Sequence, residues 1–480
     1  MKVTFVRPNM NAARSWVAIE PLAFGVLAGS TPPDVERVLY DERVEDIPFD
    51  EPTDLAAITV ATYTARRSYE IATAYRRRGV PVVMGGFHPT FLPEEALLFA
   101  DAVAIGDAED VWPQIVRDAA RGRLQRTYVA ARPPALGGRV VDRSLFAGKR
   151  YSSICPVQYG RGCRYACDFC SVHAFYGSLL RQRPLGEFIA ELEALDGRPL
   201  LLVDDNLFVN VEQAGALFRS MKLLRTRWAC QVSVDITTNE PLLDLMAESG
   251  CALTLMGLES LDPDNLKQMR KQWSLKHGSY EVAVRRCRER GIMVYGTFIF
   301  GYDQDRPPTF DSTVDFAVRE KLCLAEFFPL TPMPGARLYD RLRSEGRLLY
   351  DRWWLDPAFR YGSAMFVPRG MTAGELTEGC FRARRRFNSF GSIFRRVLDP
   401  SANSRTPGAL GIFLGTNLVL RREVHRRQGM PLGTDVPLPV RPDPLTENLS
   451  REGHEQRPGS SGIGPPAVPP VAPQGRRRRL

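Results

Sequence analysis

Between residues 152 and 330 the chain repeats one unit six times: a short apolar run, a turn, then a stretch with helical spacing. The apolar runs are SSICPVQYG (152–160), PLLLVDD (199–205), WACQVSVDI (228–236), CALTLMGLES (251–260), MVYGTFIFG (293–301) and LAEFFPL (324–330). Between them lie GEFIAELEAL (186–195), EQAGALFRSMKLL (212–224), EPLLDLMAESG (240–250), YEVAVRRCRERG (280–291) and PTFDSTVDFAVREKL (308–322). Strands separated by helices cannot pair as tight hairpins, so they lie parallel in one sheet. Six units in a row predict an α/β full or partial barrel spanning 151–335, with functional groups at the strand C-termini.

A second series precedes it. KVTFVRP (2–8), VERVLYD (35–41), LAAITVAT (55–62), VPVVMGG (80–86) and DAVAIGD (101–107) read as buried strands, and 66–79, 93–100 and 110–122 as helices, with Pro113 confined to a first turn. This predicts a doubly wound domain over 1–130, binding ligands beyond its strand C-termini. A polar connector spans 131–150. Residues 336–430 read as mainly helical, with aromatics (RWWLDPAFRYG, 352–362) expected to shape a pocket, and the Pro-, Gly- and Arg-rich residues 431–480 read as a disordered tail. No run reaches the roughly 18 apolar residues of a membrane span. PGALGIFLGTNLVL (407–420) comes nearest and reads as buried or interfacial.

Charge narrows the partners. Of the net +9, residues 381–480 supply +11 (18 arginines against seven acids), so the first 380 residues carry −2. The folded part has no basic field to draw nucleic acid, and a small-molecule substrate is expected instead. Nine cysteines, an odd number in a long chain opening without an apolar leader, argue for a reducing compartment, the cytoplasm, rather than a disulfide framework.

Three of those cysteines stand together. GRGCRYACDFC (160–170) places Cys163, Cys167 and Cys170 in a C-x3-C-x2-C array after the first strand of the six-unit series. A cubane cluster normally takes four thiolates, so three leave one iron open to a chelating molecule. Zinc, or a closed redox cluster completed by Cys155, are the alternatives that spacing leaves open, beside plain buried thiols.

The array, with Phe169 before its last cysteine, resembles the cluster loop of the radical S-adenosylmethionine enzymes. The resemblance implies a [4Fe-4S] cluster on Cys163, Cys167 and Cys170, S-adenosylmethionine on the open iron, an electron donor such as a flavodoxin or ferredoxin, and a 5′-deoxyadenosyl radical that takes hydrogen from the substrate. By the same resemblance Phe169 touches S-adenosylmethionine, Asp204 and Asp205 of VDDN (203–206) meet its ammonium, although the family's usual glycine-glycine-glutamate is missing there, Glu259 meets the ribose, and the backbone from Gly296 to Gly301 approaches the adenine.

GGFHPTFLPEEA (85–96) and GDAEDVWP (106–113), ahead of such a core, look like the flavodoxin-like domain of the cobalamin-binding members. That implies cobalamin contacts at Thr59, Thr62, Gly85, Gly86, His88 and Gly106, without the D-x-H-x-x-G motif that supplies a cobalt ligand elsewhere; His88 is expected to structure its loop and not to ligate cobalt. The reaction expected from the resemblance is methyl transfer to an unactivated carbon of a secondary metabolite or lipid-like molecule. A radical rearrangement, cyclisation or oxidation, and a non-catalytic corrinoid or iron-sulfur binding protein, are the competing readings.

Overall fold

A computed structural model describes residues 1–434 apart from 12, 16 and 209. The tail expected from residue 431 lies, beyond Thr434, outside the described residues.

The first sheet joins β1 (Lys2–Arg7), β2 (Glu36–Asp41), β3 (Leu55–Thr59), β4 (Val82–Gly85), β5 (Ala102–Ile105) and β6 (Thr127–Val129), all parallel, in the order β2-β1-β3-β4-β5-β6. The order reverses between β1 and β3, which opens a crevice beyond their C-termini. Five helices cover the sheet: α1 (Leu22–Gly29), α2 (Ala65–Arg77), α3 (Phe87–Phe91), α4 (Pro93–Ala96) and α5 (Trp112–Ala120). Pro113 sits in the first turn of α5, where its missing N–H costs nothing. Three elements escape the sequence reading, α1, α3 and β6; α3 begins directly after Gly86, where a strand-end loop was expected. α1 (LAFGVLAG) has no polar side chain and therefore no helical period to detect; it packs Phe24 on Phe5 at 5.1 Å. β6 is three residues long and half-exposed.

The second sheet begins with β7 (Cys155–Val157). A two-residue antiparallel ribbon, β8 (Gly160–Arg161) with β9 (Arg181–Gln182), frames α6 (Ser171–Tyr176). Then follow β10 (Leu200–Leu202), β11 (Trp228–Val232), β12 (Cys251–Glu259), β13 (Met293–Phe300) and β14 (Leu324–Pro329). Strands β7 and β10 to β14 pair parallel and in sequence order, with β7 and β14 at the two edges. Helices α7 (Leu185–Ala194), α8 (Val211–Leu224), α9 (Glu240–Glu248), α10 (Pro263–Gln268), α11 (Tyr280–Glu289) and α12 (Pro307–Arg319) lie between successive strands. Their starts are written locally: Asn210, Asn239 and Ser279 accept N–H groups of the first turns of α8, α9 and α11.

The C-terminal part holds α13 (Arg337–Ser344), α14 (Ala373–Phe387), α15 (Phe390–Val397) and α16 (Pro407–Arg427), but residues 345–372 form no helix. The expectation for that segment's aromatics holds in part: Tyr361 lines a cavity at the strand ends, whereas Trp353 and Trp354 are buried in the core on the α2 side of the first sheet, with Tyr69, Tyr75, Phe359 and Met365. Their indole N–H groups donate to the Pro332 carbonyl and to Glu95, each at 2.9 Å. The 407–420 stretch opens α16, burying Ala409, Phe413 and Asn417 and exposing Leu414 and Leu418. No helix among the described residues is long and apolar enough to cross a membrane.

Candidate functional site

The cysteine loop runs between β8 and α6 and is held by four neighbours. Gly162 adopts φ +98°, and a Cβ there would stand 2.1 Å from the Leu179 carbonyl oxygen. Its N–H donates to Asp205 at 2.8 Å, while Asp204 accepts the N–H groups of Tyr159 and Gly160. Asp168, inside the array, accepts the Tyr302 hydroxyl at 2.7 Å and Arg341 at 2.9 Å, and its N–H donates to the Met269 carbonyl. The N–H of Leu338, in α13, donates to the Asp168 carbonyl at 3.0 Å.

The three thiols feel one another electrostatically, and each carries groups suited to a thiolate. Backbone N–H groups of Tyr165, and of His173 and Val172, reach Cys163 and Cys170, and the Asn206 amide donates to the Cys163 sulfur at 3.8 Å. Burial pushes the Cys167 thiol up to about 12, opposed by Lys271, while Cys170, Glu259 and Cys163 add to the rise. The buried Lys271 sits 3.3 Å from Glu259 and holds its proton despite desolvation, through Glu259 and Cys167. Among the described residues no three His, Cys, Asp or Glu side chains converge as the ligands of one ion would. Three thiolates on one loop, with N–H donors beside them, suit a polynuclear iron-sulfur cluster, whose ligands bind different irons. Cys155 lies apart in β7, its sulfur 3.8 Å from Glu20, its thiol raised to about 11 by burial.

Above the loop opens a cavity of about 860 Å³. Its lining combines Phe169 and Cys170 of the loop, the C-terminal ends of the barrel-like strands with Gln231, Glu259, Thr297 and Phe328, and Arg7, Thr59, Ala61 and Thr64 of the first domain. A second cavity, about 330 Å³, enters the first domain between strand ends and α1, lined by Phe24, Thr59, Gly85, Gly86, Gly106, Glu109 and Trp112. A Cβ on Gly106 would meet nothing within 4 Å, so that glycine opens onto free space. Glu109 Oε2 is buried without a hydrogen-bond partner among the described residues. A deep apolar slot with one unmet acceptor fits the amide-bearing tail of a corrinoid.

Arg161 bridges the two parts, pairing with Asp107 at 3.0 Å and Glu109 at 2.6 Å, and Arg181 also reaches Asp107. Phe87 stacks on Phe175 at 4.4 Å. Gly335 fits under the ring of Phe91, 2.4 Å from where its Cβ would be, which gives MPGA (333–336) its reason for glycine.

The structure thus puts Phe169, Cys170 and Glu259 in the lining of one mouth, with Cys163 and Cys167 on the same loop outside that lining, and Thr59, Gly85, Gly86 and Gly106 around the second cavity. Six other expectations need correcting. Asp204 is buried, pushed up to about 7 by desolvation, and spends its oxygens on backbone N–H groups; Asp205 likewise holds Gly162. Both position the loop instead of facing the mouth. A side chain on Gly296 would strike Leu322 in the core beneath the sheet, and one on Gly301 would strike Phe366, so neither glycine faces the cavity; Thr297 and Ile299 do. Thr62 and His88 bond to each other at 3.3 Å, and His88, fully buried, also meets Tyr69 and Glu95 at 3.1 Å. They tie α3 to α2 away from both cavities, which for His88 is the loop-structuring role expected of it and not a cofactor contact. Sequence reasoning missed Lys271 and Asn206; Asn206 stood within the quoted VDDN, but Lys271 follows α10 with no local pattern.

Comparisons with known proteins agree with this geometry. Residues 157–317 match the family model of the radical SAM superfamily. The chain is 30% identical over 376 residues to the bacteriochlorophyllide d C-12(1)-methyltransferase of Chlorobaculum tepidum, covering 76% of this chain and 81% of that one. It is 25% identical over 354 residues to the hopanoid C-2 methylase of Rhodopseudomonas palustris, covering 69% and 66%. Among solved structures it resembles the radical S-adenosylmethionine methyltransferase TsrM of Kitasatospora setae with cobalamin and a [4Fe-4S] cluster bound (TM-score 0.58, 18% identity, 88% of this chain and 99% of that one). It also resembles the cobalamin-dependent S-adenosylmethionine radical enzyme OxsB (TM-score 0.61, 14% identity, 88% and 72%).

Proposed function

The chain belongs to the cobalamin-binding radical S-adenosylmethionine enzymes, and from that premise we propose that it transfers a methyl group to an unactivated carbon of an apolar, ring-containing or lipid-like small molecule. We read residues 1–130 as the flavodoxin-like cobalamin domain, 131–150 as the connector, 151–335 as a partial (β/α)6 barrel and 336–430 as a C-terminal region that clamps the two. The observation carrying the reading is the 860 Å³ cavity: the cluster loop's Phe169 and Cys170 and the first domain's Thr59, Ala61 and Thr64 line the same space, so cofactors held by the two parts would share one substrate.

Bound there, the cluster and S-adenosylmethionine supply a hydrogen-abstracting radical and the corrinoid a transferable methyl group. The protein's share is positioning. Cys163, Cys167 and Cys170 hold the cluster; Asn206, Lys271 and the loop N–H groups offset thiolate charge in a desolvated site. Glu259, locked by Lys271 and within 3.4 Å of the Thr297 hydroxyl, presents an acceptor for ribose hydroxyls. Leu255, Ile299 and Phe328 keep water from the reacting carbon and complement an apolar substrate. Thr59, Gly85, Gly86 and Gly106 let the corrinoid tail approach backbone. The electron comes from a flavodoxin or ferredoxin in a reducing cytoplasm.

The test is product analysis after anaerobic reconstitution with iron, sulfide, cobalamin and reductant. S-adenosylhomocysteine that requires cobalamin, together with 5′-deoxyadenosine, both absent in Cys167→Ala, is the expected result. 5′-Deoxyadenosine alone would replace methyl transfer by a rearrangement or oxidation, and neither product from a chain with a full cluster would leave a binding protein.

A further inference from the structure

On the far side from the mouth, α15 and α16 expose an apolar stripe that the fold does not use. Phe390 is 63% exposed, Phe394 64% and Leu398 60%, spaced i, i+4, i+8 along one flank of α15 and just past its end; Leu414 and Leu418 on α16 are also exposed. The two stripes run side by side. Arg421 stacks over Phe390 at 4.1 Å and donates to the Asn388 carbonyl, while Arg396, from the opposite end of α15, bonds Asn417 and lies over the ring of Phe413. The helices are therefore antiparallel, and Leu414 and Leu418, seven and three positions before Arg421, share its face. Buried Arg396 fixes the pair rigidly by donating to the carbonyls of Leu322, Cys323 and Phe387. Phe413 and Ile393 complete a small core with Met293 and Cys323, at the strand N-termini.

The surrounding charge is one-signed. Residues 381–434 hold 11 arginines and two acids, and both acids are occupied: Asp399 pairs with Arg288, and Glu423 with Arg426 and Arg427. Arg395 and Arg422, exposed beside the stripe, have no carboxylate partner among the described residues. Phenylalanine and leucine on a face bordered by arginine is the pattern of a helix lying in a bilayer interface, not of a span. With about 200 Å² for a whole phenylalanine side chain, the five residues expose roughly 500 Å² of apolar surface. A stable protein interface keeps charge out of its centre, whereas arginines border this stripe.

We propose that the α15–α16 face docks this enzyme on an anionic lipid surface, with Phe390, Phe394, Leu398, Leu414 and Leu418 entering the interface and Arg395, Arg421 and Arg422 meeting the headgroups. The proposal does not depend on the reaction catalysed.

The experiment is co-sedimentation of the full chain with phosphatidylcholine vesicles, with or without phosphatidylglycerol, at low and high salt. Wild type should pellet with anionic vesicles only, and less at high salt. The variant F390S/F394S/L398S should remain in solution with an unchanged melting temperature. The variant R395S/R422S should bind at least tenfold more weakly, at roughly fivefold per arginine. Binding by the apolar variant equal to wild type would overturn the proposal. So would binding that persists in R395S/R422S but vanishes in R476S/R477S/R478S/R479S, which would assign attraction to the tail. A wild-type dimer in solution that F390S/F394S/L398S converts to monomer, without vesicle binding, would assign the face to a second copy of the chain.

Discussion

Gly162→Ala isolates the geometry that holds the cysteine loop. The added methyl group would lie 2.1 Å from the Leu179 oxygen and 3.2 Å from its carbon, both backbone atoms of the segment leading into β9. Relief to an ordinary contact needs a shift of about 1 Å in either the loop or the ribbon, and a displacement of that size at a reacting centre costs on the order of 100-fold in rate. The φ of +98° adds about 1–2 kcal/mol of strain for any residue with a Cβ. Gly79→Ala supplies the control: it also has positive φ (+77°), but its new methyl group meets nothing within 4 Å. It should cost about 1 kcal/mol of stability and leave the cluster untouched. The assay is iron and sulfide per chain after anaerobic reconstitution, with 5′-deoxyadenosine formation and a thermal melt on the same samples. Gly162→Ala should retain a folded chain, bind substoichiometric iron and lose about 100-fold in activity. Full iron and wild-type turnover in that variant would refute the idea that the ribbon sets the loop.

Lys271→Met leaves Glu259 buried without its cation and should destabilise by about 3 kcal/mol; adding Glu259→Gln should recover part of that in chemical denaturation, since the unpaired charge is the cost. Burial lifts the folded-state pKa of Asp204 to about 7, above its unfolded value, so its contribution is full in acid and fades as pH rises from about 4 through 7; the melting temperature of Asp204→Asn relative to wild type should therefore improve between pH 5 and pH 8. Cys155→Ala should keep wild-type iron content, because its sulfur faces Glu20 and not the loop; loss of the cluster's spectrum there would restore a fourth thiolate.

The parallel order of both sheets was readable because each strand is a continuous apolar run followed by a helical period. That Cys163, Cys167 and Cys170 share one loop was readable from their spacing, and their reading as cluster ligands rests on the resemblance. What failed did so for physical reasons. Asp204 and Asp205 were assigned to a ligand by their place at a strand end, but β8 and β9 are two residues each and give no period, so the backbone N–H groups that claim these carboxylates were invisible. Gly296 and Gly301 were chosen as glycines, when strand parity decides which residues see the mouth: Thr297 and Ile299 alternate with buried Phe298 and Phe300. Lys271 reaches Glu259 across twelve residues of irregular chain, and no local pattern announces such a pair.

Trp353 and Trp354 give the molecule an order of assembly. The first sheet is complete by Val129, yet its core around α2 is finished by Trp353, Trp354, Phe359, Met365 and Leu432. During synthesis at about 5–20 residues per second, residues 1–130 wait on the order of 10–45 s for the tryptophans to emerge. Throughout that interval α2 shows its apolar flank, and Glu95 lacks its indole partner. The domain can close only after the barrel strands have been made, so its folding is paced by contacts between its two ends.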